Sequence, residues 1–341
     1  GTGRANIGAQ FSIRGVNEAR ISPVLDPAVG IYIDDIYYGR PQTNFLRLLD
    51  VERVEVLRGP QGTLFGKNST GGAIRYVTKR PDVNDDINGY LKLGAGDYDR
   101  ASISGAVNLP INSQVAARIT AAHMEQDGYV KRITDGVGLG ADSTDFISGT
   151  LRYQPSERLT IDFNINHTDT TSNGGASKLI DYYGFNGGLP DTTAPIWTAG
   201  ISDLAAYNIL FPVGTPEHYA AAIPNDLYKV AGTGRIGSTH SKSTGASMDM
   251  TYEVSSNLSI RSITGYRTVE DFEDRESDDS VSAVSYFDGI TLTGVDFWSQ
   301  EFQLNGAAMD GRMNWVAGVF YSSEEPYSEE VGDVDHRTPF F

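Results

Sequence analysis

From about residue 89 onward, apolar and polar positions alternate with a period of two. Leu159, Ile161, Phe163 and Ile165 are separated by Thr160, Asp162, Asn164 and Asn166. Ala101, Ile103, Gly105 and Val107 alternate with Ser102, Ser104 and Asn108. Met313, Trp315, Ala317, Val319 and Tyr321 alternate with polar partners such as Arg312, Asn314 and Ser322. Successive side chains of a strand point to opposite faces, so each segment has one apolar and one polar face. Nine such strands are predicted, at 89–96, 99–108, 114–125, 145–154, 158–169, 243–253, 257–272, 295–305 and 312–323. Their lengths centre on the ~9–11 residues that a tilted strand needs to cross a bilayer, and the longer ones are expected to project beyond it.

The connections add a second regularity. Short turns fall at 108–113, 154–158, 254–257 and 306–311. They alternate with long loops near 126–144, 170–242, 273–294 and 323–341; on the long-loop side, only the first hairpin, around Gly94 to Asp99, is short. Short turns at one end and long loops at the other describe an outer-membrane barrel. A soluble all-β protein, such as a secreted β-enzyme, also alternates, but has no reason to segregate loop length. In a barrel the polar face becomes the wall of a lumen, and here it carries Arg118, Arg152, Asp249, Arg261, Arg267 and Glu301. Nine strands is an odd number, whereas single-chain bacterial barrels close with even ones. A 22-stranded plugged barrel needs far more chain at this spacing, so the sequence reads as a fragment holding under half of such a wall.

Residues 1–86 have another character. Short apolar runs at Gly30 to Asp34 and Val51 to Leu57 lie among loops rich in Gly, Pro and Asn, and a short helix is expected within Gln42 to Leu49. Arg80-Pro81-Asp82 followed by Asn84-Asp85-Asp86 is a polar, proline-punctuated junction. The expected fold is therefore mainly β: a small mixed α+β domain at 1–86, then antiparallel barrel strands over 87–341.

Composition narrows the function. The net charge of -17 argues against a nucleic-acid partner. The chain has no cysteine, which excludes thiolate metal sites, iron–sulfur clusters and cysteine nucleophiles. No apolar run approaches the length of a membrane helix, which leaves a strand-built barrel untouched. The chain opens in mid-pattern at Gly1-Thr2-Gly3, which predicts a mature form or a fragment. Gly62 to Asn68 has the wrong spacing for a phosphate loop, and neither G-x-S-x-G nor H-E-x-x-H occurs. His123, His167, His218, His240 and His336 are scattered without ligand-like spacing. Neither catalysis, a metal centre nor a cofactor is predicted.

One stretch is far more specific. Glu52-Arg53-Val54-Glu55-Val56-Leu57-Arg58-Gly59-Pro60 runs through Gly62-Thr63-Leu64-Phe65-Gly66 to Gly71-Gly72-Ala73-Ile74-Arg75-Tyr76-Val77-Thr78-Lys79-Arg80-Pro81. This resembles the plug of TonB-dependent outer-membrane receptors. Ser12-Ile13-Arg14-Gly15, Val29 to Asp35, Asn108-Leu109-Pro110-Ile111 and Asp127-Gly128-Tyr129 match further family elements. The resemblance implies a plug inside a 22-stranded barrel of the bacterial outer membrane, in contact with lipid and lipopolysaccharide. It also implies import of a scarce nutrient, driven by the TonB–ExbB–ExbD complex of the inner membrane. A ferric siderophore or similar iron complex is the expected cargo. Cobalamin or a saccharide, or a signal-transducing receptor, are the alternatives. The TonB-contacting segment that precedes the plug in the family, the first part of the plug and the later strands are expected to lie outside this sequence.

Within the plug, Gly59, Pro60, Gly66, Gly71 and Gly72 are expected to make the sharp turns of a confined domain. Arg53 and Glu55 share a face of their strand, read as meeting the wall while Val54 and Val56 pack inside. Arg14, Glu55 and Arg58 are expected in plug–wall or intra-plug ion pairs. By resemblance, Val16 to Ser22 and Tyr37 to Phe45 point toward the outside. Asn17, Arg20, Tyr37, Tyr38, Arg40, Gln42 and Asn44 are thus candidate ligand contacts. So are Tyr182, Tyr183 and Trp197 of the longest loop, unless its aromatics form a core of their own. The acidic run Glu270 to Asp279 is read as part of an external loop. It is either solvated, or able to take divalent cations or a cationic ligand.

Overall fold

The computed structural model describes residues 11–16, 27–38, 50–62, 68–132, 136–173, 185–186, 189–190, 228–230, 237–275 and 289–332. The first sheet has four strands: β1 (Val29–Ile33), β2 (Ile36–Tyr38), β3 (Val51–Arg58) and β4 (Gly72–Thr78), in the order β2-β1-β4-β3. β1 and β4 run parallel and the other pairs antiparallel. Asp34 and Asp35 close the β1–β2 hairpin at φ 50° and 70°. Two consecutive left-handed residues give the turn whose twist matches a tight hairpin. Gly72 lies at φ 145°, and a Cβ there would strike the Leu57 carbonyl oxygen of β3. Only glycine fits that crossing.

Every residue of β1 and β2 is buried. Ile13, Val29, Ile31, Tyr32, Ile33, Ile36, Tyr37, Tyr38, Ala73 and Ile74 form a core to which Ile263 and Phe297 of the second sheet contribute. An apolar run buried on both faces needs cover on both sides, and here the second sheet supplies one of them.

That sheet has nine strands. They are β5 (Asn88–Gly96), β6 (Arg100–Asn112), β7 (Val115–Gln126), β10 (Asp142–Ser156), β11 (Leu159–Ser172), β15 (Ser238–Ser255), β16 (Leu258–Arg275), β17 (Gly289–Ala308) and β18 (Met313–Gly332). Between them lie five short strands: β8 (Val130–Arg132), β9 (Gly138–Leu139), β12 (Phe185–Asn186), β13 (Leu189–Pro190) and β14 (Lys229–Val230). β14, β8 and β9 form a small sheet of their own, within two regions read from sequence as plain loops. The nine long strands follow one another as antiparallel neighbours, in the up-and-down order of a barrel wall. They match the nine read from the alternation.

Their ends differ from expectation. β18 continues to Gly332, so 323–332 is strand rather than loop, and β17 starts at Gly289 and β15 at Ser238. Toward the long-loop ends both faces turn polar, as in Ser238-Thr239-His240-Ser241-Lys242, and alternation vanishes while the hydrogen-bonded ladder continues.

Leu91, Ile103, Ile119, Ile147, Leu151, Phe163, Ile165, Phe302 and Val319 stand exposed on one face of the wall. Tyr153, Tyr252 and Trp315 sit on that face toward the short turns. Tyr266, Trp298 and Tyr321 sit toward the other end, the last two with ring centroids 5.7 Å apart. An apolar band edged by two aromatic rows is the lipid-facing surface of an outer-membrane barrel. Trp315 covers Gly306 on the neighbouring strand, which restores packing where the glycine has no side chain.

Candidate functional site: the seam between plug and wall

The inner face of the nine-stranded wall is polar, and the four-stranded domain rests on it through charge. Asp35, fixed by its hairpin turn, accepts a hydrogen bond from Arg75 Nε of β4 at 2.5 Å and another from Arg261 Nη2 of β16 at 2.7 Å. Arg75 also donates to Glu55 at 2.9 Å, and Arg53 to Glu55 at 2.7 Å. On the wall, Arg261 grips both oxygens of Asp249 at 2.9 and 2.6 Å. Arg80, at the end of the plug, donates to the same Asp249 at 3.1 Å and also to Asp162 of β11. Arg152 completes the line with a bidentate pair to Asp162 at 2.7 and 2.9 Å. Nine groups therefore alternate in sign, from Arg53 on the plug's edge strand to Arg152 on the wall.

A second tie holds the start of β3. Arg118 of β7 donates to the two oxygens of Asp50 at 2.5 and 2.7 Å, and the Thr120 hydroxyl adds a bond at 3.0 Å. A third is part-aromatic: Arg267 lies 4.8 Å from the centre of the Tyr38 ring and donates to Ser243 and Asn166 at 2.5 and 2.9 Å. Apolar contact is confined to a few places. Gly265 is one, since a Cβ there would stand 2.7 Å from Ile36, so the wall is kept flat where the hairpin lies against it.

Burial alone would raise the Asp35 carboxyl, but Arg75 and Arg261 outweigh it and hold it below the ordinary range. Burial and Arg118 act on Asp50 in the same opposed way, and Arg118 wins. Both acids are thus held as carboxylates. Bidentate pairs of this kind fix geometry strongly, while their net gain over an apolar seam is small because each ion gave up hydration. The arrangement specifies one seat for the plug without gluing it there. Beside it runs a narrow crevice floored by Ser148, Thr150 and Asn164 of the wall and roofed by Ile33, Asp34 and Thr78 of the plug. Asn164 donates to Ser148 and Thr150 at 3.0 and 2.8 Å.

The residues singled out from sequence fall unevenly on this frame. Tyr37 and Tyr38 were read as part of an outward loop. They are instead in β2 with relative exposures of 4% and 5%, and Asn68 donates to the Tyr37 hydroxyl at 2.6 Å. The hairpin turns at Asp34-Asp35, so these rings are pressed between plug core and wall and offer no open face. Arg53 and Glu55 do pair, but on the plug's own side, with Arg75. Val54 and Val56, expected inside, are 50% and 52% exposed. It is Leu57, on the face of Glu55, that packs against the core, so β3 is turned over relative to the expectation. Arg14 and Arg58 are exposed and make no ion pair with another described residue. Gly59 takes φ 91°, Pro60 follows it on the surface, and Gly71 fits closely against Val16. The acidic stretch Glu270 to Arg275 is strand rather than loop, and Asp271 and Glu273 face inward, buried. Asn17, Arg20, Arg40, Gln42, Asn44, Gly66, Tyr182, Tyr183 and Trp197, with the helix expected at 42–49, lie outside the described residues.

Sequence reasoning missed Asp35, Asp50 and Arg80. Asp34-Asp35 between two apolar runs was a hairpin signal of the short, turn-prone kind. Arg80 reads from sequence as the end of the plug pattern and part of a proline-punctuated junction, with nothing to mark it as a partner of the wall. The wall partners Arg118, Arg152, Asp249 and Arg261 were all named as lumen-facing, and they are.

The TonB-dependent Receptor Plug Domain family model matches residues 1–73. The pesticin receptor of Yersinia enterocolitica is 34% identical over 153 residues, covering 43% of this chain and 22% of that receptor. Among solved structures, the ferric yersiniabactin uptake receptor FyuA from Yersinia pestis superposes with a TM-score of 0.74 at 18% identity, covering 98% of this chain and 45% of FyuA. The ferripyoverdine receptor of Pseudomonas aeruginosa, bound to ferripyoverdine, gives 0.67 at 14% identity, covering 97% of this chain and 39% of that one. The chain thus spans less than half the length of the relatives it matches. Residues 1–73 thus match the plug-domain family, and the chain as a whole shares with these solved receptors the fold of a plug sheet seated on the wet inner face of a lipid-facing wall.

Proposed function

We propose that the protein containing this chain imports a scarce nutrient across the outer membrane, and that the nutrient is a ferric siderophore or similar iron complex. The observation that carries this reading is the seam itself. A plug held by alternating ion pairs and a hydroxyl-lined crevice can be shifted as a unit, because each tie is exchangeable for water. An apolar seam would have to expose its whole area to move. The names of similar receptors, for ferric yersiniabactin and ferripyoverdine, support an iron chelate, while a vitamin B12 transporter of Vibrio vulnificus, 23% identical over 198 residues, keeps cobalamin as the alternative.

In this reading residues 1–86 form the plug and 87–341 the first part of the barrel. The work of moving the plug comes from the TonB–ExbB–ExbD complex. Asn17, Arg20, Arg40, Gln42, Asn44, Tyr182, Tyr183 and Trp197 are the proposed ligand contacts, since aromatic faces mixed with hydrogen-bonding groups suit a polar chelate with flat parts. The test is growth of a strain lacking the full-length gene on a panel of single iron chelates, cobalamin and saccharides. Loss of growth confined to one or more iron chelates, restored by the gene and abolished without TonB, is expected. Loss confined to cobalamin or a sugar, or no loss at all, overturns the iron assignment.

A further inference from the structure

The ion-pair seam leaves one buried acid unused. Asp271 points inward from β16, four residues beyond Arg267, and is 1% exposed, yet apart from the pull of the neighbouring Ser241 hydroxyl its carboxylate has no cationic partner among the described residues. A desolvated carboxylate without a cationic partner is costly, and such a group asks for an explanation. Its cross-strand neighbours are Ser241 of β15 and Thr293 of β17, and Glu273 follows on the same face. Of the two cations four residues away on this face of β16, Arg267 is engaged with Ser243, Asn166 and the Tyr38 ring, and the Arg275 side chain lies outside the described residues. Lys242 is paired in register with Glu270, on the opposite face.

The level of the site matters too. Asp271 lies five residues past Tyr266, which marks the aromatic row remote from the short turns, so it stands outside the apolar band on the long-loop side. Burial pushes its carboxyl up to about 7, against the pull of the Ser241 hydroxyl and with help from Glu273. The site would gain from a positive charge delivered to it.

We propose that Asp271 receives a protonated amine carried by the incoming solute, with the Ser241 and Thr293 hydroxyls as flanking acceptors. An ammonium group has three donors, which one carboxylate and two hydroxyls can satisfy. A calcium ion takes six to eight oxygens, and no group of three or more acid or histidine ligands that could hold a metal ion occurs among the described residues. The inference rests on the import reading and adds to it a cargo class: chelates bearing a free amine rather than strongly anionic ones.

The probes are ferrioxamine B, a ferric trihydroxamate with a terminal ammonium, and its N-acetyl derivative, alike but for that charge. Calorimetric titration of the purified full-length receptor at pH 7.5 is expected to show the amine form binding about tenfold or more tighter, the scale of one charge-assisted hydrogen bond. Asp271→Asn, which keeps the side chain's shape, is expected to erase the preference. Glu270→Gln, on the outer face of the same strand, is expected to leave it intact. Equal affinities, binding of neither probe, or a preference that survives in Asp271→Asn overturns the proposal. Import is read separately by growth. Cells that use a neutral chelate through the receptor but show no amine preference sink this inference alone, whereas loss of growth on no chelate sinks the import reading beneath it.

Discussion

Plug and wall solve opposite problems with the same secondary structure. In β1 five consecutive residues, Val29 to Ile33, are buried, and the strand has no wet face. In β11 Phe163 and Ile165 face outward at 46% and 53% exposure while Asp162, Thr168 and Thr170 are buried inward. The plug is an ordinary apolar core, and the wall is inside out. Where they meet, an extended hydrophobic seam is unavailable, because the wall offers only a few apolar contacts such as Ile263 and Phe297 among polar groups. Charge takes its place, and with it comes a seat that is specific yet not strongly adhesive.

The largest effect should come from the residue that joins the two. Arg261→Ala leaves Asp35 and Asp249 facing each other across the seam without their shared cation. Removing one partner of a buried ion network costs on the order of 3–5 kcal/mol. The full-length receptor in detergent should therefore show a lower denaturant midpoint, and Arg261→Lys, which keeps charge but not the fork, should recover only part of it. An unchanged midpoint for Arg261→Ala would mean that the seam does not depend on this line of charges.

The inside-out wall predicts a second asymmetry. Phe163→Arg places a charge on the lipid face near mid-strand, at a cost of about 2–4 kcal/mol. Asn164→Arg, one residue on, points into the lumen, where the same charge has water and Asp162 nearby. Refolding titrations into lipid vesicles should separate the two variants clearly. Equal costs would show that the faces have been assigned wrongly.

How much of this was legible in the sequence follows from the same contrast. The wall was read almost strand for strand, because lipid on one side and water on the other force a strict alternation. The signal failed only where β15, β17 and β18 rise out of the bilayer and both faces turn polar. The plug was legible as a family pattern but not in its geometry. By alternation each face of β3 carries two apolar and two charged residues, so nothing in Val51 to Arg58 says which face meets the core, and the bulge between Val51 and Arg53 shifts the register just there. The wall's half of the seam was readable because charges inside a barrel stand out. The plug's half was not, because Asp35, Asp50 and Arg80 sit in turns and junctions where acids and arginines are commonplace.

Acid should loosen the seam, and the direction can be worked out. Asp35 and Asp50 are held below their unfolded pKa of about 3.9, so each contributes stability that is fully present above that value. The contribution is lost as pH falls through the still lower pKa of the folded state. The denaturant midpoint should therefore fall below about pH 4, by less than Arg261→Ala costs, and the fall should be shallower in Asp35→Asn. A midpoint equally steep in that variant would place the acid sensitivity elsewhere.

The smallest effect tests the turned-over strand. Val56 is half exposed on the opposite face of β3 from Leu57, so Val56→Thr, nearly equal in volume, should change stability by no more than about 0.5 kcal/mol. Leu57→Ala, its neighbour in register with the fully buried Ala73, should cost several times as much, since it removes packing against the plug core. The pair is informative because the two residues are adjacent and both aliphatic, and differ mainly in the side of the strand they occupy. If Val56→Thr costs as much as Leu57→Ala in the full-length receptor, that outer face is covered there, and the plug meets a second wall through valines rather than charge.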